Sequence, residues 1–323
     1  MVKVMNRPLA VALTDMNRRQ FLQSTLAALA AAGLPASVRA NEAVRVVELG
    51  DSQLMLLSDG HMQLPLSLIL PDSIGQSERV ALMEQYQLDT QTIRQPCTIT
   101  LWKTPERTIL FDAGGGTLFL PTLGNLIDAL ASVDIEPGDI TDVVFTHAHP
   151  DHLWGLIDDF DELSFPEANY YMNTEEWDYW RADDTMGKTP EARQSFVVGA
   201  QNRLVFLEER IQLFRWGDEV LPGLEAMDTS GHTPGHTSFV LHQGPESIVV
   251  LGDALSHPVF SFRQPSWPSG SDQNAEQGIA TRMALLDRAA TDKQPVVGFH
   301  LPDSGYGRVE KDGSAYRFVS ETG

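Results

Sequence analysis

Within Thr146-His147-Ala148-His149-Pro150-Asp151-His152, four side chains able to bind a metal fall inside six positions, at the end of an apolar run. Imidazole nitrogen and carboxylate oxygen suit borderline and hard divalent ions. Side chains alternate along a strand, so His147 and His149 project to one side. Asp151 and His152 fall where the chain turns into a helix and face a second point. One ion cannot comfortably use all four, so the spacing asks for two. A second set lies far along the chain: His232 in Gly-His-Thr-Pro-Gly-His, Asp253 in Leu-Gly-Asp-Ala and His300 in Gly-Phe-His. The chemistry such a cluster supports is metal-assisted hydrolysis. A serine nucleophile has no motif here, since Gly-x-Ser-x-Gly does not occur in the sequence.

Each member of this set needs an element to hold it. Runs rich in β-branched residues predict strands at 45–49, 54–58, 97–102 and 108–111, then at 142–146 running directly into His147. Further strands are expected at 169–172, 239–242 and 248–251, with a last one leading into His300. Helical spacing marks 123–133, 174–181, 190–213 and 276–290. Strands followed by helices, twice over, predict two sheets packed face to face with helices outside. Two long irregular stretches, 60–75 and 254–274, read as lips or lids over a site.

The pattern His-x-His-x-Asp-His, followed by a lone His, an Asp and a last His, resembles the signature of the metallo-β-lactamase superfamily. The resemblance spans roughly Val44 to Pro302. It implies an α/β fold, the four-layer αβ/βα sandwich, with two metal ions at one edge between the sheets. It further implies that His147, His149 and His232 bind one ion, that Asp151, His152 and His300 bind the other, and that Asp253 bridges them. His236 shares a motif with His232 but is not among the implied ligands. Phe111-Asp112-Ala113-Gly114 looks like the family's Asp-x-Gly turn, whose aspartate supports the ligands from behind. Zn²⁺ is the expected metal, with Mn²⁺, Co²⁺ or Fe²⁺ chemically able to replace it. Two such ions acidify the water between them, zinc lowering its pKa from 15.7 to about 7, and the resulting hydroxide attacks carbonyl carbon or phosphorus. Asp253 and Asp151 are the expected catalytic carboxylates.

Composition narrows the partners. The chain has 323 residues, a net charge of -21 and one cysteine. Cys97 has nothing in the chain to pair with, which excludes a disulfide framework and a thiolate cluster. The acidity opposes nucleic acid, whose binding rests on clustered Lys and Arg. Residues 1–40 read as a twin-arginine export signal with an upstream extension: Arg18 and Arg19, an apolar core from Phe21 to Leu34, and a small-residue site ending at Ala40. That core is too short for a membrane anchor. Residues 41–323 are then one hydrolase domain, periplasmic or secreted. Removing the signal takes five basic residues and one acidic residue, moving the charge from -21 to -25.

Departures within the superfamily select a substrate class. The lactamases proper carry a cysteine where Asp253 stands, or lack the bridge. Glyoxalase II adds a C-terminal glutathione-binding domain, for which the 23 residues after His300 leave no room. Many homoserine-lactone lactonases carry a tyrosine three positions after the bridging aspartate, where this chain has Ser256. The sequence is most similar to the exported methyl parathion hydrolase and dihydrocoumarin lactonase group. That resemblance implies a ring-lined pocket of Phe119, Trp180 and Phe196, and the long loop 254–274 is expected to add His257, Phe260, Phe262 and Trp267 beside the metals. The expected substrates are small aryl esters or lactones and organophosphate triesters, with acyl-homoserine lactones as the alternative. A metal-binding protein with a degenerate site is the non-enzyme alternative, and filled ligand positions argue against it. The group's habit implies a homodimer.

Overall fold

A computed structural model of the chain describes residues 44–321. The export segment expected over residues 1–40 lies outside the described residues. The first sheet is β1 (Arg45–Leu49), β2 (Ser52–Pro65), β3 (Thr92–Lys103), β4 (Thr108–Phe111), β5 (Asp142–Val144), β6 (Asn169–Asn173) and β7 (Ile211–Phe214), side by side in that order. It is antiparallel as far as β4 and parallel from β4 to β7. The second sheet runs β8 (Glu219–Leu221), β9 (Leu224–Asp228), β10 (Thr237–Gln243), β11 (Glu246–Val250), β12 (Val296–Val297), β13 (Tyr306–Asp312) and β14 (Ala315–Ser320).

Period-two alternation puts three apolar layers between four layers of structure. In β2, Leu54 and Leu56 enter the space between the sheets, where they meet Phe111, Val144, Phe239, Ile248 and Val250. Their neighbours Met55 and Leu57 face the opposite way, into a core with Val143, Phe145, Val197 and Leu204. In the second sheet Val240 and Val249 turn outward onto Leu285 and Leu286. Strands covered on both faces have no polar side, which is why these segments read as continuous apolar runs. The architecture is four layers, two mixed sheets packed face to face and flanked by helices, as the resemblance implied.

The outer helices that matter for the site are α1 (Gln76–Tyr86), α2 (Leu126–Ala131), α3 (Pro150–Leu153), α4 (Thr174–Arg181), α5 (Gln194–Leu204) and α6 (Ala275–Asp292). Several sequence expectations change. The stretch expected to be irregular from residue 60 is strand as far as Pro65, because β2 crosses a register shift between Ser58 and Gly60 and keeps pairing with β3. The single helix expected over 190–213 is α5 alone. After Leu204 the chain passes through a 3-10 turn at Val205–Leu207 and enters β7, whose Ile211–Phe214 pairs with β6. The helix expected over 123–133 begins only after Gly124, whose φ is +83°. Helix α1, the β8–β9 hairpin and strands β13 and β14 were not anticipated.

The two long connections meet. Ile69, Leu70 and Ile74 share a small apolar cluster with Phe260 from the second connection, and Gly270 N donates to Ile69 O at 2.8 Å. Together they cover one end of the sandwich.

Candidate metal centre

Strand β5 ends at Val144, and residues 145–149 carry the first histidines across the strand ends into α3. Asp112, just after β4, sets this turn. Its φ is +67°, a strained value for a residue with a Cβ. Its carboxylate accepts from Thr146 N and Thr146 Oγ1 at 2.7 Å each, and His152 Nδ1 lies 2.8 Å from it. A proton on His152 Nδ1 leaves Nε2 free to act as a ligand.

The metal-facing atoms converge in two groups. His147 Nε2 and His149 Nδ1 are 3.0 Å apart, and His149 Nδ1 and His232 Nε2 are 2.9 Å apart. Bonds of about 2.0–2.1 Å to a tetrahedral ion would set ligands ~3.3 Å apart, so this triangle is close to the face of such a site. In the second group, Asp151 Oδ2 lies 3.4 Å from His152 Nε2 and 3.2 Å from His300 Nε2. Asp253 spans the two: Oδ1 is 3.2 Å from His152 Nε2, while Oδ2 is 3.4 Å from His232 Nε2 and 3.2 Å from His300 Nε2. All seven side chains are buried.

The donor set fits two divalent cations. Among the described residues, Asp151 Oδ2, His152 Nε2 and Asp253 Oδ1 are buried without a hydrogen-bond partner, although each lies within 3.4 Å of a neighbouring imidazole or carboxylate atom. Their lone pairs aim at common points rather than at one another. Electrostatics agrees. Burial works against charging His152, yet Asp253, Asp151 and Asp112 together raise its pKa well above the usual imidazole value. Burial likewise opposes charge on His300, and Asp253 with Asp151 overcomes it. Burial and neighbouring imidazoles hold His147 and His149 well below the usual value. The carboxylates thus draw positive charge into the cluster, and dications would supply it.

Supporting contacts fix the remaining tautomers. His300 Nδ1 faces Pro96 O at 2.7 Å, which turns Nε2 to the centre. Cys97 Sγ is 4.0 Å from the same Nδ1, and burial pushes its thiol up to about 12, so it stays a neutral neighbour. His236 is held neutral, burial lowering it to about 3. Its Nε2 accepts from Asp253 N at 2.9 Å while Nδ1 faces Thr229 Oγ1 at 2.9 Å. It places the Asp253 backbone rather than joining the ligand group.

Two acidic residues that carried no signal in the sequence build the scaffold. Glu176 in α4 is fully buried and accepts from Ala148 N, Trp180 Nε1, Thr233 Oγ1 and Gly235 N at 2.6–2.9 Å. It ties the His147–His149 segment to the loop carrying His232. Gly235 must be glycine, since a Cβ there would lie 2.1 Å from Glu176 N. Asp59 accepts from Gly115, Gly124 and Leu126 amides, holding the glycine-rich turn after Asp112.

A pocket of about 140 Å³ opens on this cluster, lined by Met62, Leu64, Leu68, Ile69, Phe119 and Phe196 together with His149, Asp151, His232, Asp253, Ser256 and His300. Phe119 and Phe196 meet edge to face with centroids 6.1 Å apart. Trp180 is elsewhere: its indole N–H is committed to Glu176, and its ring lines a larger, more polar chamber of about 530 Å³ behind His149. His257 is also outside the apolar pocket. Its ring stacks on Phe260 and its Nδ1 accepts from Val259 N and Phe260 N, both at 3.1 Å, so it caps a short turn of helix. Phe262 is buried among Leu285, Leu286 and Phe318, in the core beneath the second sheet.

The comparisons with known proteins agree with this geometry. A family model described as the metallo-beta-lactamase superfamily matches residues 93–294, and one for the twin-arginine translocation signal matches residues 15–35. Among solved structures, AidC, a dizinc quorum-quenching lactonase in complex with a product, N-hexanoyl-L-homoserine, is 25% identical with a TM-score of 0.80. That alignment covers 86% of this chain and 97% of the other. A hydrolase of the beta lactamase superfamily, AbOPH, aligns with the same values. The hydroxyacylglutathione hydrolase GloC of Haemophilus influenzae is 23% identical over 199 residues, 60% of this chain and 81% of its own. The signal indicates export by the twin-arginine route, to the periplasm or beyond. Among the described residues no helix is long and apolar enough to cross a membrane. The seven converging side chains and the family match over 93–294 lead to one conclusion: the chain belongs to the metallo-beta-lactamase superfamily and is a metal-dependent hydrolase.

Proposed function

We propose that the protein hydrolyses small aryl esters and lactones at a pair of zinc ions, with turnover of organophosphate triesters as a side activity. The observation that carries this reading is the apolar pocket of about 140 Å³ facing the His/Asp cluster. An apolar cavity of about that size holds one benzene ring, so a compact ring is the natural occupant. Phe119 and Phe196 would grip it by edge contacts and area burial.

His147, His149 and His232 would hold one ion and Asp151, His152 and His300 the other, with Asp253 shared. Two divalent ions, when bound, supply Lewis acidity that activates water and polarises the oxygen of the electrophile. The chain's own contribution is placement. Asp112 and the Pro96 carbonyl hold His152 and His300 in the tautomers that present Nε2. Asp151 also borders the pocket, so the carboxylate oxygen not spent on an ion would stand where it can take the proton that attacking water loses and return it to the leaving oxygen. Met62, Leu64, Leu68 and Ile69 keep bulk water off the reacting carbonyl.

A second reading, acyl-homoserine lactone hydrolysis, is favoured by the larger chamber that meets the apolar pocket at His149, Arg193 and Phe196, where an acyl chain could extend. The likeness to AidC supports it as well. One experiment separates these readings: rates measured side by side on dihydrocoumarin, a long-chain homoserine lactone and a dimethyl aryl phosphorothioate, with metal analysis of the same sample. Fastest turnover of dihydrocoumarin supports the first reading, and preference for the long-chain lactone replaces it with the second. A folded sample holding no transition metal, and inert after zinc, manganese or cobalt is added, defeats both.

A further inference from the structure

The histidines whose Nε2 faces the cluster differ in what backs their other nitrogen. His152 has Asp112, His300 has the Pro96 carbonyl, and His147 has Thr146 Oγ1 at 3.1 Å. His232 Nδ1 is buried and, among the described residues, has no hydrogen-bond partner. One carboxylate stands beside it: Asp272 Oδ1, 3.4 Å away, on a side chain 3% exposed. Asp272 lies near the far end of the β11–α6 connection that begins just before the ligand Asp253.

We infer that Asp272 is a positioning residue for the metal centre, its carboxylate accepting a hydrogen bond from His232 Nδ1–H and thereby coupling the covering loop to the ion that His147, His149 and His232 would hold. The loop is anchored where such a role requires it. Arg282, from α6, donates to Pro265 O and Trp267 O at 3.0 and 2.9 Å and lies 3.4 Å from Asp272 Oδ2. Gln273 N and Asn274 N donate to His232 O and Gly231 O at 3.0 and 2.9 Å, so the loop backbone runs alongside the ligand itself. From the opposite side Arg193 donates to the carbonyl of Gly270. The guanidinium of Arg282 fixes one carboxylate oxygen and leaves the other for His232. A slight rotation of either side chain brings 3.4 Å into the hydrogen-bond range. A carboxylate behind a ligating imidazole fixes its tautomer and raises its basicity, and losing such a partner typically costs 10–100-fold in metal affinity.

This inference rests on the two-ion reading and extends it. The test uses the full mature chain stripped of metal and titrated with Co²⁺, read by visible absorption and chelator competition. Asp272→Ala and Asp272→Asn both lose the pairing with Arg282, but only Asn keeps an oxygen for the His232 Nδ1 proton. The expected result is that one of two Co²⁺ ions binds about 10–100-fold more weakly to Asp272→Ala. Asp272→Asn should hold that ion within a few-fold of the unaltered chain. Equal losses in both variants, or in neither, overturn the inference. Failure of the two-ion reading looks different, because the unaltered chain would then not bind two ions. Should Asp272→Ala not fold, histidine ¹⁵N spectra of the zinc-loaded unaltered chain decide. A protected, downfield Nδ1 proton on His232 that moves upfield in Asp272→Asn supports the role, and its absence refutes it.

Discussion

At the scale of single residues, the cluster places two like-charged carboxylates beside buried imidazoles, an arrangement that stands only with positive charge between them. Asp253 is the one ligand that reaches both groups, with oxygens 3.2–3.4 Å from His152, His232 and His300. Asp253→Ala is therefore expected to abolish turnover of an aryl ester, a loss well beyond the about 10–100-fold that a supporting residue costs. Metal content measured on the same protein should fall too; a variant that kept both its ions and its rate would refute the shared-ligand arrangement. His257 makes a different prediction. Burial lowers its imidazole from 6.5 to about 3, so as pH falls the unfolded chain takes up this proton first. Stability present above pH 6.5 is then lost as the pH drops toward 3, by about 2–3 kcal/mol at pH 4.5. Asn can accept the same two amide protons without titrating. Urea midpoints of His257→Asn should accordingly fall less between pH 7 and 4.5 than those of the unaltered chain, and parallel curves would show that this ring is not held neutral. The candidates from His147 to His152 were legible because four ligand types fall within six positions, whereas His232, Asp253 and His300 came into view through the family resemblance. Glu176, Asp59 and Asp272 were not legible, since a lone acid in a helix or loop looks like solvated surface until its neighbours are known.

At the scale of elements, the ligands gather beyond the strand ends of both sheets, Asp151 and His152 in the short helix α3, and a single helix-borne carboxylate ties the two histidine loops together. Glu176 gathers four donors from three segments. In Glu176→Gln the amide group would turn N–H toward N–H, leaving buried donors unsatisfied at about 1–3 kcal/mol each. Urea denaturation should show a loss of at least that size, together with weaker metal binding, because the two histidine loops lose their common anchor. Unchanged stability would mean that the loops hold themselves. Strands of the central layers were readable as apolar runs, but boundaries set by tertiary contact were not. Nothing local separates α5 from β7: Val205–Leu207 and Ile211–Phe214 continue an apolar pattern, and only pairing with β6 makes the latter extended. Helix α1 lacks a strong amphipathic stripe, burying only Leu82 and Met83, and so left no periodic trace.

At the scale of the whole molecule, the centre lies where two sheets, the connection after β2 and the 254–274 loop all meet, so the bound ions would bear on global stability. The sequence carries a net charge of -21, and self-repulsion already works against compactness. Two ions that bind only the folded state add about 4 kcal/mol each at a free concentration 1,000 times their dissociation constant. That sum is comparable with the 5–15 kcal/mol by which domains are stable at all. Stripping the metal with a chelator should therefore lower the melting temperature by roughly 15–30 °C, given a shift of 2–4 °C per kcal/mol for a domain approaching this size. Added zinc should restore it, the gain rising with the logarithm of free zinc above the dissociation constant. Raising the salt should stabilise the stripped form more than the loaded one, since screening relieves repulsion that the ions otherwise neutralise. If stripped and loaded chains melted together, the cluster would be a rigid scaffold complete without ions, and the coupling between covering loop, histidines and metal would lose its basis.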